Sequence, residues 1–279
     1  MINESLYREI VQLALEEDLG TAGDITSDAT VPESTVAKAE FRTRRMGAIA
    51  GLEVAGYVFH VVDETVVFNA RASDGDRVEK GAVVAVVSGS ARSILAAERT
   101  ALNLLARMSG VATQTSQLVD AVEGTKARIA DTRKTMPGMR ALDKYAVRMG
   151  GGMNHRFGLH DAVLIKDNHI AAVGSITRAI QAARARVGHT VSVEVEVESL
   201  KQLAEVLDSD VDIVLLDNMS PMELAEAVRM VDGAFSTEAS GGITMENVRE
   251  VAESGVDVIS VGWITHSAPQ LDIGLDFVV

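Results

Sequence analysis

The sequence predicts an α/β protein in two parts: a small, mostly antiparallel sheet with helices, then an incomplete α/β barrel of six to seven strands. Three observations carry this. The 279 residues are rich in Val, Ala and Gly and poor in aromatics, a make-up that suits parallel strands buried on both faces. From residue 127 onward, short apolar runs alternate with amphipathic helical segments, the pattern of right-handed βαβ units. Before residue 91 the apolar runs are short, are separated by turn residues and enclose one helix near Glu53–Val62. An open doubly wound sheet is the alternative for the second part.

Taken in order, residues 3–17 place Leu6, Ile10, Leu13 and Ala14 on one helical stripe. GTAGDITSDATVP, with Asp24 and Thr26, reads as a surface connection rather than a substrate loop. VAKAEFRTR, GAIAGL, TVVFNARA and AVVAVVSGSA read as strands, the last after the turn residues DGDRVEKG. Residues 91–122 read as a long helix broken near Ser109-Gly110, and that break sets the domain boundary. The first domain is then 1–108 and the barrel 109–268. Barrel strands are expected at 127–131, 161–167, 192–197, 212–218, 234–242 and 256–262. Helices are expected at 175–187, 199–207, 220–231 and 244–255, with Ser199, Ser220 and Thr244 as caps and Pro221 in a first turn.

Composition excludes several classes of function. The net charge of −14 and pI near 4.9 argue against nucleic acid as the main partner, which requires a basic face. Cysteine is absent, which removes disulfides and thiolate chemistry. No apolar run approaches the roughly 20 residues of a membrane span, and MINESLYREI lacks the marks of a secretion signal. A cytoplasmic protein is expected.

Against that acidic background, Arg128–Asn168 carries Arg128, Arg133, Lys134, Arg140, Lys144, Arg148, Arg156 and Lys166. A local excess of cations points to an anion pocket. In a barrel, function belongs at the C-terminal strand ends. There the sequence offers Thr132-Arg133-Lys134, Lys166-Asp167-Asn168-His169, Asp217-Asn218, Ser240-Gly241-Gly242 and Gly262. Glu194, Glu196 and Glu198 share one face of their strand and the valines the other. The valines meet the helices, so the glutamates point to the barrel axis and need cations, Lys134 and Lys166 being the natural partners. The turns at Gly241-Gly242 and Gly262 deliver helix N-termini after the last two strands, where barrels bind phosphate, and His266 can add a donor. His155, His160 and His169 fit no zinc spacing. A hard cation held by Glu196, Asp217 and a substrate's own phosphates fits better.

DTRKT, GGMNHRFGL, LIKDNH, VEVE, LLDN, SGGI and VGWITH, in this order, resemble the quinolinate phosphoribosyltransferases. AERTALNLLARMSGVAT and the tail LDIGLDF extend the resemblance over nearly the whole chain. It implies an N-terminal α/β sandwich, on which the tail 269–279 packs, and an incomplete α/β barrel. It implies conversion of quinolinate and phosphoribosyl pyrophosphate to nicotinate mononucleotide, pyrophosphate and CO2, with Mg2+. Carried over by motif, Arg133, His155, Arg156 and Lys166 hold the quinolinate carboxylates. Arg99 joins them from the neighbouring subunit of a homodimer, or of a hexamer built from three dimers. Lys134, Glu196 and Asp217 meet the ribose pyrophosphate and its magnesium, with Glu196 and Asp217 nearest the metal. Ser240, Gly241, Gly262 and His266 bind the 5′-phosphate. The competing readings are a nicotinate phosphoribosyltransferase or molybdate-linked homologue, and a non-catalytic binder of sugar phosphates.

Overall fold

The computed structural model describes residues 2–278, which form two compact units. The first comprises the chain up to Ser116, Thr135–Gly151 and the chain from Ile264. The second comprises Gln117–Lys134 and Gly152–Trp263.

The first unit opens with a single 3-10 turn and helix α1 (Arg8–Leu19), whose Val11 and Leu15 are buried. The expected connection at 20–32 contains a helix instead, α2 (Ile25–Thr30). Asp24 starts it: its Oδ1 accepts from the N–H groups of Thr26 (3.1 Å) and Ser27 (3.0 Å), donors that a first turn otherwise leaves unpaired. Then follow β1 (Val36–Thr43), β2 (Gly47–Ala48), α3 (Leu52–Val62), β3 (Val67–Ala70), β4 (Arg77–Val78) and β5 (Val83–Ser90). The chain's last strand, β12 (Ile273–Phe277), pairs antiparallel with β1 and completes a sheet of order β12-β1-β5-β3. Phe41, Phe59 and Phe68 meet at centroid distances of 5.6 and 5.9 Å in its core.

Helix α4 (Ala91–Ala121) runs unbroken through Ser109-Gly110, which corrects the expected interruption. Both residues are there for contacts with other segments. Ser109 Oγ accepts from Ala50 N–H at 3.1 Å. A Cβ on Gly110 would stand 2.2 Å from the Pro269 carbonyl oxygen, so only glycine lets the tail cross the helix. Helix α5 (Arg140–Met149) is tied to α4 by Arg107, whose Nη2 lies 3.0 Å from the fully buried Asp143 Oδ1.

The second unit is a six-stranded parallel sheet. Its strands are β6 (Arg128–Ala130), β7 (Val163–Ile165), β8 (Val193–Val197), β9 (Ile213–Asp217), β10 (Ser236–Ser240) and β11 (Val258–Ser260). The order β6-β11-β10-β9-β8-β7 leaves one seam, between β6 and β7. Met153 lies along that seam: its N–H donates to Ile129 O (2.8 Å) and its carbonyl accepts from Asp131 N–H (3.2 Å). Helices α6 (Asp167–Val173), α7 (Ile176–Arg184), α8 (Leu200–Val206), α9 (Pro221–Val231), α10 (Val248–Glu253) and α11 (Trp263–His266) follow the strands. Ser199 and Ser220 cap as expected, and Pro221 opens α9. Residues 244–247 form a turn rather than a helix start, because Thr244 N–H donates to Asn247 Oδ1 (2.8 Å) and Asn247 Nδ2 to Gly242 O (2.8 Å). No helix among the described residues is long and apolar enough to cross a membrane.

Candidate active site

The C-terminal strand ends of the second unit enclose a cavity of about 240 Å3. Its walls include Arg133, Lys134, His155, Arg156, Lys166, Glu196, Asp217 and Ser240. Register explains the assembly. In-phase parallel pairing sets Ser240 beside Asp217, and Glu196 two residues lower beside Leu215. Strand alternation then keeps Glu194 and Glu196 on the inner face, as the period-two pattern requires, while Glu198 lies beyond the strand and is exposed.

On one wall, the Lys166 ammonium contacts the Glu196 carboxylate. Lys166 also precedes α6, and its N–H donates to the His169 ring at 3.0 Å. That bond orients the lysine at the mouth. Asp217 lies at the end of β9, its Oδ2 accepting from Asn218 Nδ2 at 2.6 Å. Asn218 adopts a left-handed backbone, φ 56°, with its N–H on Ser240 O at 2.9 Å. Gly241 must be glycine: φ is +84°, and a Cβ would meet Asn218 Oδ1 at 2.1 Å.

The opposite wall is cationic. Asp131, fully buried at the end of β6, accepts from His155 N–H (2.9 Å) and Asn154 Nδ2 (2.6 Å). It thereby pins the NHR segment beside the seam. Arg156 Nη1 donates to Ala162 O at 3.0 Å, and Asp161 closes the loop by accepting from Phe157 and Gly158 N–H. Burial, and next the nearby Arg133 guanidinium, push the Arg156 pKa down. Two guanidinium groups held this close favour an anion between them.

The expected lysine partner of Glu194 is replaced by histidine. His155 Nε2 stands 3.2 Å from Glu194 Oε2 and 3.4 Å from Glu238 Oε1. Burial, and next the Glu194 carboxylate, push the Glu238 pKa up to about 7. Glu238 carries no local sequence pattern that marks it: it is one acid in a short strand, and its partners lie far along the chain. His160 and His169 are exposed and outside this cluster.

Among the other expected site residues, Gly241 follows directly on β10 and Gly262 follows β11 after Val261, neither of them lining the cavity. Arg99, exposed on α4, and His266, exposed with its Nδ1 2.6 Å from Ser267 Oγ, belong to the first unit.

Comparison with known proteins agrees with this architecture. The family model for the quinolinate phosphoribosyl transferase N-terminal domain matches residues 24–109, and that for the C-terminal domain residues 111–276. A protein of Mycobacterium leprae (strain TN) named nicotinate-nucleotide pyrophosphorylase [carboxylating] is 49% identical, over 96% of this chain and 96% of that protein. A Bacillus subtilis protein named as a probable enzyme of the same kind is 44% identical, over 99% of this chain and 94% of that one. The crystal structure of NadC from Streptococcus pyogenes superposes with a TM-score of 0.94 at 40% identity, covering 100% and 99% of the two chains. On sequence and fold, the chain belongs to the quinolinate phosphoribosyltransferase family.

Proposed function

We propose that the protein transfers the phosphoribosyl group of phosphoribosyl pyrophosphate to quinolinate with decarboxylation, giving nicotinate mononucleotide, pyrophosphate and CO2 for NAD synthesis. The observation that carries this is one cavity lined both by an arginine pair, Arg133 and Arg156, and by a carboxylate pair, Glu196 and Asp217. Arg133 and Arg156 offer planar forks suited to a rigid dicarboxylate, a task for which lysine is a poor substitute. Lys166 adds a cation at the mouth, and His155 closes the wall behind it.

Glu196 and Asp217 face the other half of the cavity. As pyrophosphate leaves C1 of the ribose, positive charge develops there, and these carboxylates stabilise it, directly or through the ribose hydroxyls. Lys166 pairs with the buried Glu196 carboxylate beside that centre. Lys134, at the cavity edge, meets the pyrophosphate side. Ser240 and the glycine turns at Gly241 and Gly262 receive the 5′-phosphate. Once the ring nitrogen is quaternised its positive charge stabilises the electron pair left at C2 as CO2 departs, and C2 then takes a proton from water, so no general base is required. The donor set suits Mg2+: oxygen ligands from Asp217 and Glu196, with phosphate oxygens supplying the rest. The metal, when bound, neutralises the leaving pyrophosphate.

The same reading makes the protein a cytoplasmic homodimer, or a hexamer of three dimers, in which Arg99 of one subunit enters the site of the next. Mixed Arg99→Ala and Lys134→Ala proteins should then regain activity after subunit exchange, and no recovery contradicts the shared site. The substrate assignment is tested by CO2 release with phosphoribosyl pyrophosphate and Mg2+. Quinolinate labelled at the 2-carboxylate should release CO2, and Lys166→Ala should abolish the release. Turnover of nicotinate in preference to quinolinate would establish the competing assignment instead.

A further inference from the structure

We propose that Glu194 and Glu238 are positioning residues that act through His155, holding its ring so that Arg156 is set to grip the substrate dicarboxylate. This rests on the activity proposed above and names new parts of that site. The argument starts from one hydrogen bond. Arg156 N–H donates to His155 Nδ1 at 2.7 Å. A backbone N–H can only donate, so Nδ1 accepts and the ring proton sits on Nε2. Nε2 in turn faces two buried carboxylates, Glu194 from β8 at 3.2 Å and Glu238 from β10 at 3.4 Å. Both ring nitrogens are thus committed to the protein. The imidazole is a strut between the barrel interior and the backbone of Arg156, and its own charge is not what the pocket uses.

The carboxylates have capacity to spare. Glu194 Oε1 is buried and accepts no hydrogen bond from the protein, and the buried Glu238 Oε1 meets Nε2 as a charge contact at 3.4 Å rather than as a hydrogen-bond acceptor. A proton on one of these acids turns that acid from an acceptor into a donor. Glu238 is suited to carry it, since burial, Glu194 and Asp131 raise its pKa, while His155 and the Ser260 hydroxyl only partly offset them. The three side chains also have the composition of a cation site, with ligand atoms within 4.8 Å of one another. The proton on Nε2 removes the ring from such a site.

The test has two arms. In the first, ring 15N–1H NMR of the unliganded protein needs no turnover: one histidine, identified by its loss in His155→Asn, should show a protonated Nε2 and a bare Nδ1. In the second, Glu194→Ala should raise the KM for quinolinate by about tenfold or more, with the KM for phosphoribosyl pyrophosphate nearly unchanged. Glu194→Gln, which keeps an oxygen for the Nε2 proton, should recover most of that loss and guards against a folding failure of the alanine variant. The proposal is overturned by a proton on Nδ1, by equal rises in both KM values, or by an unchanged quinolinate KM. It is also overturned if Mn2+ or Zn2+ raises the melting temperature of the wild type and not of His155→Asn. If wild type shows no turnover, the activity reading fails while the NMR result still decides the strut.

Discussion

The two ends of the barrel strands make opposite use of the same backbone. At the strand starts lies the larger cavity, about 510 Å3, edged by Lys126, Arg128, Ser192, Ser236 and Asp257. At the strand ends lies the smaller one, about 240 Å3. The larger has an exposed Lys126–Asp257 pair at 2.9 Å at its edge and the buried Glu194 and Glu238 in its wall. The smaller gathers cations from the NHR segment and TRK loop with acids from β8 and β9. His155 and Arg156 line both, so one short segment divides the two. Volume does not choose a site; cations and acids gathered at the C-terminal strand ends do.

Substitutions at the two ends should therefore differ sharply. The largest loss is expected for Lys166→Ala, which strips the cation from Glu196: about 1000-fold or more in kcat/KM, measured by initial rates. Arg156→Lys should come next, raising the quinolinate KM by about 10- to 100-fold as the planar fork is lost. Gly241→Ala combines a left-handed φ with a clash on Asn218. It should raise the KM for phosphoribosyl pyrophosphate and cost about 1–3 kcal/mol in denaturant unfolding. At the strand starts, Lys126→Gln should leave kcat/KM within about twofold and cost under about 1 kcal/mol, because the pair it breaks is solvated. Equal losses at both ends would erase the distinction.

The buried acids sharpen it further. The folded pKa of Glu238, about 7, lies above its ordinary 4.5. The folded state therefore holds the proton more tightly. That contribution to stability is fully present below about pH 4.5 and is lost as pH rises through 7. Glu238→Gln should flatten this part of the stability profile, read by chemical denaturation across that range.

Legibility followed the range of the interactions. The VEVEV strand announced its inner face because alternation is local, and β8 places Glu194 and Glu196 as that pattern requires. The Lys166–Glu196 pair was likewise legible from charge balance. Ser109-Gly110 misled because a serine and a glycine read as a break. Their reasons, Ala50 and Pro269, are remote in sequence. Asp24 was read as loop polarity when it caps a helix. The His155–Glu194–Glu238 contact joins three distant segments across a seam, and no window of sequence contains it.

The central claim is that the strand-end cavity grips a dicarboxylate between Arg133 and Arg156, opposite Glu196 and Asp217. A crystal structure with phthalate, a stable analogue of the substrate's paired carboxylates, tests it most directly. The account predicts both carboxylates on the Arg133 and Arg156 guanidinium groups, with Lys166 at the mouth. Phthalate bound in the strand-start cavity, or at the strand ends away from both arginines, would contradict it.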